Sequence, residues 1–287
     1  MDDHSVLSAL HGILAQAVRL ARTAPPTRAD QKAHQDFVTD VDMALDRFLQ
    51  TQLTPLLPDC PVLSEERAVN TPGPLAQYWI VDPLDGTLNL LAGLPFTGIC
   101  VALIDAGGPR LGAVADIQSG VIYSAIRGLG AFADTVPLHI PASPPALIVL
   151  STGLLDRLIS QPGPYAALRR IGKIRNLGAQ ALHLIGVARG QFAAVASYEA
   201  RLWDEAAAGL ILREGGGHWQ AESDQGDWTR PQAMMAIRAQ RSLGSHPAVT
   251  TALQAALAEV FAAEVFAADM FAVAKPAASP DTSPEFP

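Results

Sequence analysis

The sequence predicts a layered α/β protein (α+β) in two parts: two helices with an antiparallel sheet, then a smaller α/β half. Five short apolar segments follow one another closely between residues 78 and 133, with turn residues between them. That spacing is typical of a meandering antiparallel sheet. After the prolines that begin at Pro137, apolar segments alternate with helical patterns, which is typical of an α/β unit.

The chain is long and apolar enough for a large core. It has 287 residues, of which 49% are hydrophobic and 17% are charged. That length fits one large domain or two packed subdomains. We place the boundary between the two parts at residue 138, with a second part at 139–274. The tail 275–287 is rich in proline and has little to bury, which predicts disorder.

Helical spacing of apolar residues predicts a first helix over 5–22 and a second over about 40–54, ended by Pro55. The polar stretch 24–35 between them is predicted to be a loop. Strands are predicted at 78–82, 97–105, 110–117, 120–126 and 130–133.

The second part carries predicted strands at 146–151, 191–198 and near 234–239. Its predicted helices lie near 164–170, at 179–190, at 204–214 and from 247 onward. A five-residue repeat over 259–273 drifts around a helix, so it forms no single apolar stripe. It fits either an extended terminal helix or an association surface.

The net charge and the cysteine content limit the kinds of partner that the protein is expected to bind and the cellular compartment in which it is expected to lie. The net charge is −8 and no run of Lys or Arg is present, which argues against nucleic acid. Cys60 and Cys100 lack metal-site spacing and fit a reducing cytoplasm. The acidic N-terminus lacks the basic start of a signal peptide, and no uncharged apolar run reaches about 18 residues, so no membrane span is expected.

The most informative motif is Asp82-Pro83-Leu84-Asp85-Gly86-Thr87, which follows the apolar Trp79-Ile80-Val81. Pro83 restricts φ and Gly86 tolerates positive φ, so the two carboxylates can converge on one side of a turn. The carbonyl of Leu84 can join them. Oxygen ligands of this kind suit Mg²⁺. On its own, the motif also fits an Asx-turn with a solvated second aspartate.

Two further acidic segments stand at the ends of apolar patterns. Glu65 and Glu66 follow Pro61-Val62-Leu63, which resembles the end of a strand, and Asp204 opens a predicted helix. Alone, the first two would be a solvated pair and Asp204 an ordinary helix N-cap.

Taken in order, these segments resemble the inositol monophosphatase family, a branch of the Mg²⁺-dependent, lithium-sensitive phosphatases. The family pattern is D-x-V-T-x-x-D, G-E-E, W-I-x-D-P-[IL]-D-G-T-x-N-F and W-D-x-A-A-G. The chain matches it from Asp36 to Asp42, at 64–66, at 79–90 and at 203–209, with Ser64 for Gly and Leu90 for Phe. The resemblance covers roughly residues 5–260. It implies an αβαβα sandwich of the inositol monophosphatase and fructose-1,6-bisphosphatase type, commonly a homodimer.

The resemblance also implies a ligand set for two or three Mg²⁺ ions, with Mn²⁺ as a substitute. Glu65, Asp82 and the Leu84 carbonyl correspond to ligands of one ion, and Asp82, Asp85 and Asp204 to ligands of a second. Glu65 would also help to hold a third. Lithium is expected to inhibit.

Thr87 and Asp42 resemble the pair that activates the attacking water, which reaches phosphorus in line. Gly86 and Thr87 are predicted to open a helix whose N–H groups face the phosphate. Taken singly, Thr87 also fits a helix N-cap and Asp42 a solvated acid in a first helical turn.

The expected activity is Mg²⁺-dependent hydrolysis of a small phosphorylated polyol such as inositol 1-phosphate. Histidinol phosphate, fructose 1,6-bisphosphate and a 3′-phosphoadenosine nucleotide are alternatives within the class. A regulatory binding protein that keeps the fold is the non-enzymatic alternative.

The substrate-reading region departs most from the family. The family has a glutamate seven residues before the late aspartate. Ser197 holds that position here, and Glu199 is the nearest acid. Gln180 interrupts a segment that resembles the family's G-[TS]-A-A. The predicted substrate-binding residues are Gly86, Thr87, Gln180, Ser197, Glu199 and Asp204, with Arg175, His183 and Arg201 as further candidates. His183 also fits a packing residue on a helix face.

Overall fold

The computed structural model describes residues 1–23, 29–33, 36–67, 73–231 and 240–262, with the backbone alone for residues 32, 33 and 36. The predicted strand at 234–239, the predicted tail 275–287 and the part of the repeat beyond Ala262 lie outside these residues. No helix among the described residues combines the length and apolar character needed to cross a bilayer.

The helices are α1 (Asp3–Thr23), α2 (Asp40–Leu56), α3 (Thr87–Leu91), α4 (Thr152–Leu158), α5 (Pro162–Ile171), α6 (Gln180–Ala188), α7 (Leu202–Glu214) and α8 (Thr250–Ala262). The strands are β1 (Ala29–Ala33), β2 (Asp36–Thr39), β3 (Val62–Ser64), β4 (Gln77–Asp85), β5 (Gly98–Asp105), β6 (Gly108–Asp116), β7 (Ile122–Ile126), β8 (Ala131–Ala133), β9 (Val136–Leu138), β10 (Leu147–Leu150), β11 (Lys173–Arg175), β12 (Ala194–Ala200), β13 (His218–Ala221) and β14 (Gln240–Ser245). Short 3₁₀ turns cover Glu222–Gln225 and Pro247–Val249.

Two sheets organise the described part of the chain. The first has the order β3-β4-β5-β6-β7-β8-β9 and is antiparallel except for the parallel pair β3 and β4. The second has the order β11-β10-β12-β14-β13, with β10 parallel to both of its neighbours. All strands of the first sheet precede residue 139 and all strands of the second follow it. The division into two domains there stays a prediction.

Helices and sheets alternate through the molecule. α1 and α2 pack on one face of the first sheet, while α6 and α7 lie between the two sheets. On the outer side, α4 and α8 pack against strands of the second sheet, and α5 packs on α8. Three apolar clusters fill the spaces between these layers. The predicted αβαβα sandwich is confirmed.

The close approach of α7 to the first sheet depends on small residues. A Cβ at Gly112 of β6 would lie 2.9 Å from the Cα of Ala207 in α7. Ala206 and Ala208 beside it are also buried without bulky side chains. This tight contact holds the N-terminal end of α7 against the strands that carry the acidic motif.

Several sequence-based boundaries are wrong. Part of the predicted loop 24–35 forms β1, which pairs antiparallel with β2, because backbone pairing can stabilise a polar segment that lacks an apolar pattern. Helix α2 continues through Pro55 to Leu56. Proline in its last turn removes one backbone donor there without stopping the helix. Short elements such as α4, β11 and β13 were not predicted, since three to seven residues carry too little periodicity.

Candidate active site

A bulge in β4 brings two aspartates to the same pocket. Asp82 pairs with Cys100 and Asp85 with Gly98, so Pro83 and Leu84 stand opposite the single residue Ile99. Residues three apart in a regular strand point to opposite faces, and the extra residue of a bulge reverses that relation. The strand therefore runs on through Asp85, whereas the sequence predicted a strand that ended at residue 82.

The residues after the bulge form a turn and a short helix. Gly86 is the N-cap of α3 with φ of +95°, and a Cβ there would lie 2.7 Å from the carbonyl oxygen of Phe96. Thr87 begins the helix, as predicted. Its hydroxyl oxygen lies 2.9 Å from Oδ1 of Asp42 and 3.2 Å from the carbonyl oxygen of Leu84.

Asp42 is held from its other side by the start of α2. The backbone N–H of Thr39 donates to Oδ2 of Asp42 at 2.8 Å, and the Thr39 hydroxyl donates to the same oxygen. Asp42 is 2% exposed, so it is not the solvated acid that its position in a first helical turn also allowed. It closes a capping box and still accepts a bond from Thr87.

Three carboxylates from separate elements converge beside this pair. Parallel pairing of Ser64 with Val81 places Glu65, the next residue, next to Asp82. Asp204 lies in the first turn of α7, where its Oδ2 accepts the N–H of Arg201 at 2.8 Å. One carboxylate oxygen from each of Glu65, Asp82 and Asp204 lies within 4.8 Å of the others. That spacing is suitable for a shared cation.

Asp85 lies near this group without belonging to it. Its two oxygens accept backbone N–H groups from the start of α6, that of Gln180 at 3.1 Å and that of Ala181 at 2.7 Å. A carboxylate at a helix N-terminus is stabilised by unpaired N–H groups and by the helix dipole. Helix α6 therefore orients Asp85, a contact between residues about 95 positions apart in the chain.

The pKa values of these acids reflect burial and the concentration of negative charge in the site. Burial raises the pKa of Asp82 well above its usual range, and Glu65 and Asp204 raise it further. Burial, with Asp85 and Glu65, likewise raises the pKa of Asp204. Burial raises the pKa of Asp85 to about 7, although the α6 N–H groups act in the opposite direction. A divalent cation would offset this repulsion, so the donor set fits Mg²⁺.

These acids line a pocket of about 290 Å³. Its walls comprise Phe37, Glu65, Asp82, Leu84, Asp85, Gly86, Thr87, Leu88, Gly178, Glu199, Arg201, Trp203 and Asp204. All five predicted metal-ligating residues are among them. So is Thr87, whereas Asp42 stands behind it at hydrogen-bond distance.

The predicted substrate-binding residues divide into two groups. Gly86, Thr87, Glu199 and Asp204 line the pocket, and Gln180 and Ser197 do not. Ser197 is fully buried, and its hydroxyl accepts the N–H groups of Glu199 and Ala200. Ser197 therefore shapes the backbone turn beneath Glu199, and its assignment to substrate is not supported.

The side chain of Gln180 points away from the pocket, toward α7. Its Nε2 donates to Oε1 of Glu205 at 2.7 Å, and its Oε1 lies 3.3 Å from Nδ1 of His183. His183 is 2% exposed and packs against the ring of Phe96, which agrees with the packing interpretation. Gln180 contributes its backbone N–H to Asp85, a role that sequence reasoning missed.

Glu199 is fixed at the pocket edge by the start of α4. Its two carboxylate oxygens accept the N–H groups of Thr152 at 3.0 Å and Gly153 at 2.7 Å. A Cβ at Gly153 would lie 2.8 Å from Oε2 of Glu199, so glycine permits the contact.

Two residues of the pocket wall have roles that the sequence did not predict clearly. The guanidinium of Arg201 lies 5.6 Å from the ring centroid of Trp203, and both residues line the pocket. The sequence offers Arg201 only as a further candidate for substrate binding, and it places Trp203 in the W-D-x-A-A-G motif without a role of its own. Their place immediately before Asp204 is the signal that could have identified them.

Comparisons with known proteins agree with this geometry. The model of the inositol monophosphatase family matches residues 2–264. An inositol-1-monophosphatase of Rhizobium meliloti is 34% identical over 236 residues, which cover 76% of this chain and 87% of that protein. The Nus factor SuhB of Xylella fastidiosa is 32% identical over 195 residues, or 66% of this chain and 70% of that protein.

A solved structure shares the fold. An IMPase/NADP phosphatase complexed with Mg²⁺ and phosphate superposes with a TM-score of 0.70 and 27% identity. The match covers 88% of this chain and 93% of that one. On the family match, the fold and the arrangement of acids in the pocket, this chain belongs to the inositol monophosphatase family.

Proposed function

We propose that this protein is a Mg²⁺-dependent phosphomonoesterase that hydrolyses a small phosphorylated polyol. The observation that carries the proposal is the convergence of Glu65, Asp82 and Asp204 within 4.8 Å, beside the hydrogen-bonded pair of Thr87 and Asp42. An acidic pocket repels a phosphate ester unless cations are bound there, so metal and substrate binding are coupled.

In this proposal Glu65, Asp82 and the Leu84 carbonyl would hold one cation, and Asp82, Asp85 and Asp204 would hold a second. When bound, the cations would supply positive charge to the phosphate and lower the pKa of water in the site. The hydrogen bonds that two N–H groups of α6 donate to Asp85 keep its carboxylate from rotating.

Thr87 and Asp42 would orient the attacking water. Because the Thr87 hydroxyl donates to Oδ1 of Asp42, its lone pairs remain able to accept a hydrogen from water. The water would give a proton to the Thr87 oxygen while the Thr87 hydroxyl proton passes to Asp42, which neutralises the Asp42 carboxylate and leaves the negative charge on the attacking oxygen. The N–H of Thr39 holds Asp42 in the orientation that receives the proton. The N–H groups at the start of α3 would face the phosphate.

The polyol assignment rests on the fixed carboxylate of Glu199. Each of its oxygens accepts one N–H from α4 and retains a lone pair for a substrate hydroxyl. The relative from Rhizobium meliloti is named for inositol monophosphate hydrolysis. Inositol 1-phosphate is therefore the first substrate to test.

Arg201 favours a second candidate, a substrate with an additional anionic group. It is the one cationic side chain among the described residues that line the pocket. A guanidinium can bind a phosphate through two parallel hydrogen bonds. Fructose 1,6-bisphosphate and a 3′-phosphoadenosine nucleotide carry such a group. Histidinol phosphate lacks a second anionic group and completes the panel.

A regulatory binding protein remains the competing class, because one relative is named as a Nus factor. Retention of Glu65, Asp82, Asp85, Thr87 and Asp204 in one pocket favours the enzyme. Homodimer formation and a cytoplasmic location stay predictions.

The test is release of inorganic phosphate from a panel of these esters, with Mg²⁺ and with EDTA. We expect release that requires Mg²⁺ and that lithium inhibits. Folded protein that releases no phosphate from any ester would exclude the enzymatic assignment and leave the binding protein.

A further inference from the structure

A buried carboxylate with three side-chain donors lies directly behind the pocket. Glu205 of α7 is 0% exposed and follows Asp204 in the chain. Gln180 donates to its Oε1, Gln240 donates to its Oε2, and the hydroxyl of Ser242 donates to Oε1. Burial of a carboxylate destabilises the folded state unless hydrogen-bond donors of this kind compensate for the lost water.

Gln180 joins this carboxylate to the wall of the pocket. Its side chain donates to Glu205 at 2.7 Å, while its backbone N–H donates to Asp85 at 3.1 Å. Glu205 is covalently adjacent to Asp204. One short chain of contacts therefore links Asp85 on β4, the start of α6 and Asp204 on α7.

We propose that Gln180 and Glu205 are positioning residues, which together hold Asp85 and Asp204 in the relative placement that cation binding requires. The inference rests on the proposed function. Without the bond to Glu205, the first turn of α6 loses its side-chain link to α7, and the N–H groups that orient Asp85 can shift with it. Mutation of groups that orient metal ligands in this way typically lowers metal affinity by about 10–100-fold.

Gln180 and Glu205 occupy positions at which the family pattern specifies no matching residue. Gln180 is the residue that departs from the G-[TS]-A-A segment, and Glu205 stands at the open position of W-D-x-A-A-G. In the structure these two residues meet. A role for Gln180 behind the pocket also explains why its side chain does not line it.

Gln240 provides a matched control. It donates an amide to the same carboxylate, but its Oε1 accepts the N–H of Ser223, in a 3₁₀ turn that does not line the pocket. Replacing Gln180 or Gln240 by leucine therefore removes one amide donor from Glu205 in each case. Only Gln180→Leu also frees the segment that orients Asp85.

The experiment is isothermal titration of the full chain with MgCl₂, with unfolding free energy measured for each variant. We expect Gln180→Leu to weaken Mg²⁺ binding by about 10–100-fold. Gln240→Leu is expected to change it by less than about twofold at a similar loss of stability. If Gln180→Leu does not fold, Gln180→Asn replaces it, since its amide is one methylene too short to reach Glu205.

Equal Mg²⁺ affinities for the two variants would overturn the inference, because a purely structural carboxylate would not distinguish its donors. If the native protein binds Mg²⁺ and hydrolyses an ester while the Gln180 variant keeps the native Mg²⁺ affinity, the inference is overturned and the proposed function stands. Native protein that binds no Mg²⁺ overturns the proposed function as well.

Discussion

The turn from Asp82 to Thr87 and the segment from Gln180 to Glu205 supply two parts of one pocket, but they do so differently. In the turn, five of the six residues line the same pocket, and Pro83 is the exception. In the later segment, neighbouring residues face in different directions, since Asp204 lines the pocket and Glu205 is enclosed behind it.

The difference shows what a local motif can specify. A bulge, a glycine with positive φ and a helix start are set by residues next to one another. The later segment is set by its surroundings, because α6 and α7 are packed between two sheets. Substitutions in the turn should therefore affect chemistry most, and those in the later segment should affect affinity, specificity or stability.

The largest effect is expected for Asp85→Asn. The asparagine amide would present an NH₂ group to one of the α6 N–H donors and would remove a negative charge from the cation site. We expect turnover to fall by more than about 1000-fold, because a cation contributes several kcal/mol to transition-state stabilisation. Phosphate release measures it. Asp116→Asn, at the C-terminal end of β6 and outside the pocket lining, serves as the control. Activity above about one-tenth of the native value would contradict the role of Asp85.

Thr87→Ala should have the next largest effect. It removes the hydroxyl that donates to Asp42, so the attacking water loses its orienting group. We expect kcat to fall by about 100-fold or more. Thr87→Ser keeps a hydroxyl and should recover most of that loss. Comparable kcat values for the Ala and native proteins would show that the pair does not orient water.

Arg201→Gln should alter specificity more than rate. We expect KM for a substrate with a second phosphate to rise by about tenfold, the value of one charge-assisted bond, with little change for inositol 1-phosphate. Arg175→Gln, an exposed arginine outside the pocket lining, is the matched control. A uniform change in KM for both esters would instead assign Arg201 to the shared phosphate or to general electrostatics.

The last prediction concerns the pH dependence of folding stability through His183, and not the reaction. Burial lowers the pKa of His183 to about 3, whereas the unfolded value is about 6.5. Between these values the unfolded state binds more protons, so stability is lost as pH falls below the unfolded pKa. Relative to His183→Leu, the native protein should lose roughly 1 kcal/mol of unfolding free energy per pH unit from pH 6 to 4. Urea unfolding at several pH values measures the difference in unfolding free energy between the native protein and His183→Leu. A difference that does not change with pH would show that the folded state does not lower the pKa of His183.

Much of the fold followed from periodicity. The apolar segments of β5 to β7 and the helical spacing of α1 predicted those elements because each is long or regular enough to carry a pattern. The β1–β2 hairpin was missed because its stability comes from pairing with another strand, which leaves no apolar signature. Elements as short as β11 and α4 were missed for lack of length.

The candidate site shows the same limit. Asp82, Asp85, Thr87 and Glu65 were identified because each stands in a motif whose spacing serves one chemistry. Gln180 and Ser197 were assigned to substrate from their place in the chain. In the structure their side chains serve a buried carboxylate and a backbone turn instead.

The amino-acid sequence by itself determined the ligand types, their order and the family, because these depend on residue identity and spacing along one chain. The tertiary structure alone decided which side chains face the pocket and which support it from behind. The physical reason is that side-chain direction depends on strand register, on a bulge and on helix packing, as with Gln180 and Glu205, which are 25 positions apart and meet only in the folded protein.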